Sequence, residues 1–248
     1  MNRLTDRLQM IADEIQQGET MADIGTDHGF LPLYLWENGI SPSVVMCDVS
    51  EPSLSKAKAA AGAYQFGHEL DFRAGDGLQV IRAGEVDDIV IAGMGGLLIR
   101  DIMAHDLEKT CSFGKFILQP RNNSGLLRFW LTSHCFDIVK NQLVREGKFI
   151  CEIITVKPPK SAEIAVLGPS QTLSEGECAL PDAGEACWEL PEDVFGHQPE
   201  LASEYARVKL GIEQKILEGI LRSCNVSESD INIVRKRIDY FSNMSRFQ

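Results

Sequence analysis

The chain has 248 residues, of which 44% are hydrophobic and 24% charged, fractions typical of a soluble globular protein with one full domain and an appendage. No apolar run approaches the roughly 18–20 residues of a membrane span, and the N-terminal segment carries acids where a signal peptide is apolar. The seven cysteines form no CxxC pair, so we expect no zinc or other metal site. Their odd count without an export signal favours the reducing cytoplasm.

The net charge of −12 argues against a polyanionic partner only at first sight. Residues 161–200 hold nine acids and no Lys or Arg, whereas residues 201–248 hold eight bases and six acids. Most of the negative charge therefore lies in one segment. The sign of the net charge of the whole chain is weak evidence about the substrate.

Apolar spacing predicts the elements in chain order, beginning with an amphipathic helix that carries Leu4, Leu8, Ile11 and Ile15 on one face. From Thr20 to about Lys157, short apolar strands alternate with helical patterns. The predicted strands are Met21–Ile24, Val44–Cys47, Leu70–Arg73, Asp88–Ala92, Phe116–Leu118, Phe136–Val144 and Phe149–Val156. The predicted helices are residues 31–38, 51–66, 95–105 and 124–133.

Near-continuous apolar strands that alternate with helices predict a parallel sheet covered on both faces. The short turn at residues 145–148 makes the last two strands a hairpin. A mostly parallel sheet that ends in an antiparallel hairpin is typical of an α/β, Rossmann-like class I methyltransferase that uses S-adenosylmethionine (SAM). We predict this domain for residues 1–157, an acidic linker or excursion for residues 158–200, and a small C-terminal helical hairpin for residues 201–248, its second helix capped by Ser227.

The turn after the first strand contains an acid and two glycines. Asp23 ends the strand, and Gly25 permits a tight turn beside a cofactor, where a Cβ would collide. Alone, such a turn fits any nucleotide-binding fold or a plain strand-to-helix connection. Asp48, after the second strand, can accept hydrogen bonds from both hydroxyls of a ribose, in NAD as well as in SAM. Its other interpretation is a cap of the following helix.

The next three loops add candidates at the same edge of the sheet, where α/β proteins bind ligands. Asp76 and Gly77 follow the third strand, where methyltransferases present an acid or amide to the cofactor adenine; a surface turn is the other interpretation. The small Ala92 and Gly93 after the fourth strand let the methyl donor or a flat substrate approach the backbone. The Asn/Asp-Pro-Pro-aromatic motif of enzymes that methylate exocyclic amino groups is absent, which argues against N6 chemistry. No Pro-Cys occurs, so a covalent C5-pyrimidine mechanism is not expected.

The stretches MADIGTDHGFLP, AGDGLQVI, IAGMGG and ILQPRNN together resemble the bacterial tRNA (adenine-N1)-methyltransferases that act on adenine 22, over residues 4–157. The resemblance implies SAM as the cofactor, tRNA as the partner, and a helical coiled-coil domain after the Rossmann-like domain. The cofactor contacts that it implies are Asp23, Gly25, Asp48, Asp76 and Gly77. The residues that it implies around the transferred methyl are Asp27, Gly93, Met94, Gln119 and Pro120.

Four further residues are candidate substrate contacts, namely His28, Arg121, Asn122 and Asn123. Relatives tend to place an Asn directly after Gln-Pro, where this chain has Arg121, so the equivalence of the two asparagines is open. His28 also fits a backbone cap. An acid at position 27 stands where many methyltransferases have glycine. It either stabilises positive charge on the adenine or simply tolerates a left-handed backbone.

We therefore predict methyl transfer from SAM to N1 of an adenine in tRNA, at position 22. The alternatives are methylation of another RNA or of a small molecule, and a non-catalytic adaptor that binds SAM and RNA. NAD-dependent oxidoreduction is disfavoured by the terminal hairpin. The basic run Arg235–Arg237 fits phosphate contacts and a solvated helix face equally well.

Overall fold

A computed structural model describes residues 3–62, 69–160, 182, 184–222 and 227–246. Its strands are β1 (Met21–Ile24), β2 (Val44–Asp48), β3 (Leu70–Ala74), β4 (Asp88–Met94), β5 (Lys115–Pro120), β6 (Asp137–Glu146) and β7 (Phe149–Lys157). They form one seven-stranded sheet of order β3-β2-β1-β4-β5-β7-β6, in which β7 is antiparallel to both neighbours. Every predicted strand and the terminal hairpin are confirmed. Strands β2 and β3 are added on one side of β1, and β4 and the later strands on the other side. This switch point between β1 and β4 forms a crevice at the carboxyl ends of the two strands.

Six helices accompany the strands: α1 (Asp6–Ala12), α2 (Phe30–Glu37), α3 (Glu51–Ala61), α4 (Gly96–Ala104), α5 (Leu107–Thr110) and α6 (Ser124–Ser133). A 3₁₀ helix spans Gly77–Val80. The four predicted helices are confirmed, but α3 ends at Ala61, earlier than the predicted residue 66. Residues 63–66 of that prediction lie outside the described residues.

Two apolar cores cover the two faces of the sheet, and neighbouring strand residues alternate between them. Ile89 and Ile91 of β4 pack with Ile99 of α4. Val90, between them, packs on the opposite face with Ile11 of α1 and with residues of α2 and α3. Burial on both faces explains why these strands read as continuous apolar runs.

Within the described part of the chain, four helices follow the sheet: α7 (Ala186–Glu189), α8 (Asp193–His197), α9 (Pro199–Leu221) and α10 (Glu228–Met244). The first two lie within residues 158–200, where Leu190 and Val194 are fully buried in a third core with Phe241. Leu143 of β6 also belongs to that core, so the helices rest on the sheet edge. Residues 161–181 and 183 lie outside the described residues, and the division at residues 157 and 200 stays a prediction.

The two long helices, α9 and α10, pack against each other as the predicted hairpin. Ser227 caps α10 as predicted, since its Oγ accepts a hydrogen bond from the Asp230 backbone N–H at 3.1 Å. Arg237 of α10 pairs with the buried Glu213 of α9, with Nη2 2.7 Å from Oε1. Arg235 and Lys236 are exposed.

A buried polar network joins the helices to the sheet around Glu152 of β7. Its carboxylate pairs with Arg128 of α6 and accepts hydrogen bonds from the hydroxyls of Ser124 and Tyr205, the latter on α9. Burial works to raise the pKa of Glu152, but the positive charges of Arg128 and Lys209 outweigh it and bring the pKa to about 2. The carboxylate is therefore ionised and fully paired inside the joint.

Candidate active site

The turn after β1 places Asp23 and Gly25 at the crevice. The Asp23 carboxylate is buried and accepts a hydrogen bond from Thr26 Oγ1 at 2.8 Å. Burial raises the pKa of Asp23 to about 6, against the lowering effect of that hydrogen bond. Gly25 adopts a φ of +81°, and a Cβ there would collide with the methyl of Met94. Only glycine therefore fits this turn without strain.

Asp27 and His28 continue this turn at the rim of the site. Asp27 has a left-handed backbone with φ 45°, and its side chain is 56% exposed. Its two carboxylate oxygens meet His28 Nδ1 at 2.7 Å and Lys56 Nζ at 3.2 Å. Burial works to raise the pKa of Asp27, but the hydrogen bonds from Lys56 and His28 outweigh it and hold the pKa below its usual value. The site thus contains a carboxylate that is ionised at neutral pH.

Asp48 ends β2 and turns toward the same loop. Its Oδ1 accepts a hydrogen bond from the Ser50 N–H at 2.8 Å, and its Oδ2 accepts one from the Asp27 N–H at 3.4 Å. Ser50, not Asp48, is the N-cap of α3. The helix cap therefore does not account for Asp48. Each of its oxygens has a second lone pair for a ligand.

Asp76 and Gly77 line a second cavity of about 290 Å³ beyond β3, together with Leu78 and Ile102. Gly77 has a φ of +52°, and a Cβ there would stand 2.9 Å from the Ile102 side chain. The exposed Asp76 stands at the entrance of the 3₁₀ helix. This cavity lies after the third strand, where the sequence predicted the adenine of the cofactor.

The ends of β4 and β5 are tied together by one glutamine. The β4 ladder shifts register between Ala92 and Met94, with Gly93 at φ +75° and open space where its Cβ would stand. Gln119 Oε1 accepts hydrogen bonds from the Gly93 N–H at 3.0 Å and from Arg7 Nη1 at 3.2 Å. Pro120 pairs with Met94 across the same two strands. Four of the five residues predicted around the methyl therefore lie together at these strand ends, namely Gly93, Met94, Gln119 and Pro120. The fifth, Asp27, lies on the turn after β1.

The main cavity, of about 420 Å³, is lined by six of the fifteen predicted site residues. Its lining includes Asp23, Gly25, Asp27, His28, Ala92 and Gly93. The other three candidate substrate contacts, Arg121, Asn122 and Asn123, are exposed on the loop after β5 and are not among the residues that line this cavity. That loop instead braces α4, since the Asn122 carbonyl accepts a hydrogen bond from the Gly96 N–H at 2.9 Å.

The family of the chain follows from this fold and from one comparison. A methyltransferase domain family matches residues 4–154. The chain belongs to this family. The match covers every strand of the sheet except the last residues of β7.

Two relatives of this chain are named as tRNA methyltransferases. The tRNA (adenine(22)-N(1))-methyltransferase of Bacillus subtilis is 32% identical over 155 residues, which are 62% of this chain and 65% of that protein. The crystal structure of the B. subtilis M1A22 tRNA methyltransferase TrmK matches with a TM-score of 0.80 and 25% identity, over 98% of this chain and 99% of that one. The Streptococcus pneumoniae Sp1610 structure in complex with SAM matches with a TM-score of 0.78 and 23% identity, over 98% of this chain and 100% of that one. The resemblance and the Rossmann-like methyltransferase fold are confirmed.

Two positively charged side chains at the site, Arg7 and Lys56, were not predicted from the sequence. Arg7 of α1 lines the main cavity, where Glu146 of β6 holds its Nε at 2.8 Å. Lys56 of α3 pairs with Asp27. Arg7 lies on the polar face of an amphipathic helix, where an arginine gives no signal of its own. Lys56 lies 29 residues from its partner, and only the packing of α3 brings the two together.

The described His, Cys, Asp and Glu side chains contain no group of three that could hold a metal ion. None of the described helices is long and apolar enough to cross a membrane.

Proposed function

We propose that the protein transfers a methyl group from SAM to N1 of an adenine in tRNA, at position 22. The observation that carries the proposal is the convergence of Asp23, Gly25, Asp27 and Gly93 on one cavity at the carboxyl ends of β1 and β4. The sequence match to the tRNA (adenine(22)-N(1))-methyltransferase of B. subtilis supports the substrate. Such a substrate implies a cytoplasmic reaction.

The residues of the cavity fit SAM. The Gly25 turn and the open space over Gly93 leave room for a ligand against the backbone. The buried Asp23 and the guanidinium of Arg7 line the same cavity, so a ligand that carries both an ammonium and a carboxylate meets an opposite charge for each. The amino-acid end of SAM has these two groups. The complex of the S. pneumoniae relative with SAM supports the assignment.

Asp48 and Asp76 would hold the nucleoside part of the cofactor. Asp48 keeps lone pairs for two ribose hydroxyls, and Asp76 lies beside the second cavity, with apolar walls from Leu78 and Ile102. When bound, SAM supplies a methyl group on a positively charged sulfur.

N1 chemistry needs positioning more than proton transfer. In neutral adenine N1 carries a lone pair and no proton, so no residue has to remove a proton before the methyl arrives. The adenine ring gains positive charge as the methyl transfers. Asp27, an ionised carboxylate in the cavity lining, can stabilise that charge. Gln119 accepts a hydrogen bond from the Gly93 N–H and so keeps the backbone beside the methyl in place.

The helices α9 and α10 would supply part of the tRNA surface. Residues 201–248 carry more bases than acids, in contrast to the rest of the chain. The exposed Arg235 and Lys236 are available for phosphates, whereas Arg237 is engaged by Glu213. Binding of tRNA should therefore weaken as salt rises, through release of counterions.

Methylation of a tRNA transcript with labelled SAM tests the proposal. We expect label in a transcript with adenine at position 22 and none in the matched transcript with guanine there. Reverse transcription should stop at that base, because a methyl on N1 blocks the Watson–Crick edge. Equal labelling of both transcripts would contradict the proposed position, and labelling of neither would contradict the proposed substrate.

A further inference from the structure

An aromatic pair stands at the mouth of the main cavity. The rings of His28 and Phe30 are stacked, with centroids 5.3 Å apart and planes inclined by 7°. Phe30 is the first residue of α2 and is 48% exposed, whereas Leu31, Leu33 and Leu35 of the same helix are buried. A single exposed phenylalanine is ordinary on a protein surface. This one differs because it lines a cavity and has a fixed parallel partner.

The hydrogen bond to Asp27 holds the pair in place. His28 Nδ1 lies 2.7 Å from Asp27 Oδ2, and Lys56 holds the other oxygen of that carboxylate. Both rings and Asp27 line the cavity that contains Gly93. A flat, preformed apolar surface thus lies beside the carboxylate and the backbone of the candidate methyl-transfer site.

Two other described aromatic residues of the domain, Trp130 and Phe129, pack away from this cavity. Trp130 packs against His134 and Phe136, and Phe129 packs edge-on against Trp188 of α7. Of the described residues that line the main cavity, Phe30 alone carries a benzene ring.

We propose that the free face of Phe30 stacks on the adenine that receives the methyl group. The inference rests on the proposed function. A base inside folded tRNA must leave its stack to present N1 to a cavity, and it loses stacking on both faces. An aromatic side chain at the cavity mouth replaces part of that loss, and every base offers a π-face to it. His28 backs the Phe30 ring, and Asp27 fixes His28, so the platform exists before tRNA binds.

Substitutions at position 30 separate stacking from packing. Phe30→Tyr keeps the aromatic face, Phe30→Leu keeps an apolar side chain without one, and Phe30→Ala removes both. Stacking predicts that kcat/KM for tRNA falls roughly 5- to 150-fold in the Ala and Leu variants and stays within about threefold in the Tyr variant. Phe149→Ala is the matched control, because this phenylalanine is also exposed but lies outside the cavity lining.

A second measurement shows which ligand Phe30 contacts. The affinity of each variant is measured for tRNA with adenine 22 and for tRNA with an abasic nucleotide there, as a double-mutant cycle. Loss of the base should weaken binding to the wild-type protein and have little effect on Phe30→Ala. The dissociation constant for SAM should stay within about twofold in every variant.

Each outcome decides the inference. A Leu variant as active as wild type, or an equal effect of the abasic site on wild type and Phe30→Ala, would overturn it. A parallel loss of SAM affinity would make Phe30 a cofactor contact and overturn it too. If the wild-type protein does not methylate adenine 22, the proposed function itself is wrong, and that result is read before any variant is compared.

Discussion

Lys56 of α3 donates a hydrogen bond to the carboxylate of Asp27, with 3.2 Å between Nζ and Oδ1. The pair is half-exposed, so solvent screens it, but the lysine still offsets part of the negative charge that the site presents to a substrate. The electrostatic effect of Asp27 on an adenine cation is therefore smaller than that of an unpaired carboxylate at the same distance.

Asp27→Asn keeps the shape of the side chain and removes its charge. We expect kcat to fall about 10- to 100-fold, which corresponds to about 1.4–2.7 kcal/mol of transition-state stabilisation. The affinity for SAM should change little, because the Asp27 charge raises the rate through an interaction that is stronger in the transition state than in the ground state. Single-turnover rates at saturating SAM and tRNA measure the effect. A variant that loses SAM but keeps its turnover at saturation would make Asp27 a cofactor ligand.

Gly25→Ala should abolish SAM binding without unfolding the protein. Gly25 lines the main cavity and has φ +81°, so the added Cβ strains the backbone there and displaces the flexible end of the Met94 side chain. Gly18→Ala is a matched control, since Gly18 has φ +92° and nothing within 4 Å of the added atom. Both substitutions should cost about 1–2 kcal/mol of stability through left-handed strain. Calorimetry should detect SAM binding only to the Gly18 variant; equal binding by both would refute the role of the Gly25 turn.

SAM affinity should fall as the pH drops through about 6. Burial raises the pKa of Asp23 to about 6, so below this value the free protein holds a proton that a cationic ligand must displace. Below about pH 6, the dissociation constant for SAM should rise about tenfold for each unit by which the pH falls. Asp23→Asn should bind weakly and without this dependence. The pKa of Asp27 lies below its usual value, so Asp27 does not titrate in this range. A flat profile for wild type would remove Asp23 from the cofactor site.

Glu152→Ala should destabilise the protein strongly, because it leaves the buried Arg128 without its charge partner. We expect a loss of about 3–5 kcal/mol in urea unfolding. Glu204→Ala is the control, since Glu204 also joins the helices to the sheet, through Arg145, but at the surface. Its loss should be under about 1 kcal/mol. Because the folded pKa of Glu152 is lowered to about 2, its stabilisation should be present above the unfolded pKa and decline as the pH falls toward 2. Equal losses of unfolding free energy in the two variants would show that the buried network holds the helices to the sheet no more strongly than the surface ion pair does.

The strands were predictable from sequence because a parallel sheet buried on both faces leaves uninterrupted apolar runs. Val44–Asp48 and Asp88–Met94 are of this kind. Site residues such as Asp23 and Asp48 were predictable for a related reason. Each lies at or one residue before the carboxyl end of its strand, and the fold brings those ends to one edge.

The helices α7 and α8 were not predictable, because four and five residues are too short to show a helical period. The packing face of α9 does not follow from its apolar residues. Val208, Ile212 and Ile216 repeat at helical spacing and yet are exposed, whereas Glu213 is buried against Arg237. Periodicity identified the helix but not the face that packs, which depends on the partner helix. The pairing of Lys56 with Asp27 and the reach of Arg7 into the cavity depend on tertiary contacts in the same way.

The identity of the methylated nucleoside tests the central claim most directly. tRNA incubated with the protein and SAM is digested at neutral pH, because alkali converts N1-methyladenosine to N6-methyladenosine. The nucleosides are then separated by chromatography, which resolves these two isomers, and identified by mass spectrometry. The account predicts N1-methyladenosine, one per tRNA, and none when adenine 22 is replaced by guanine. N6-methyladenosine formed directly, or a methyl group on any other nucleoside, would contradict it.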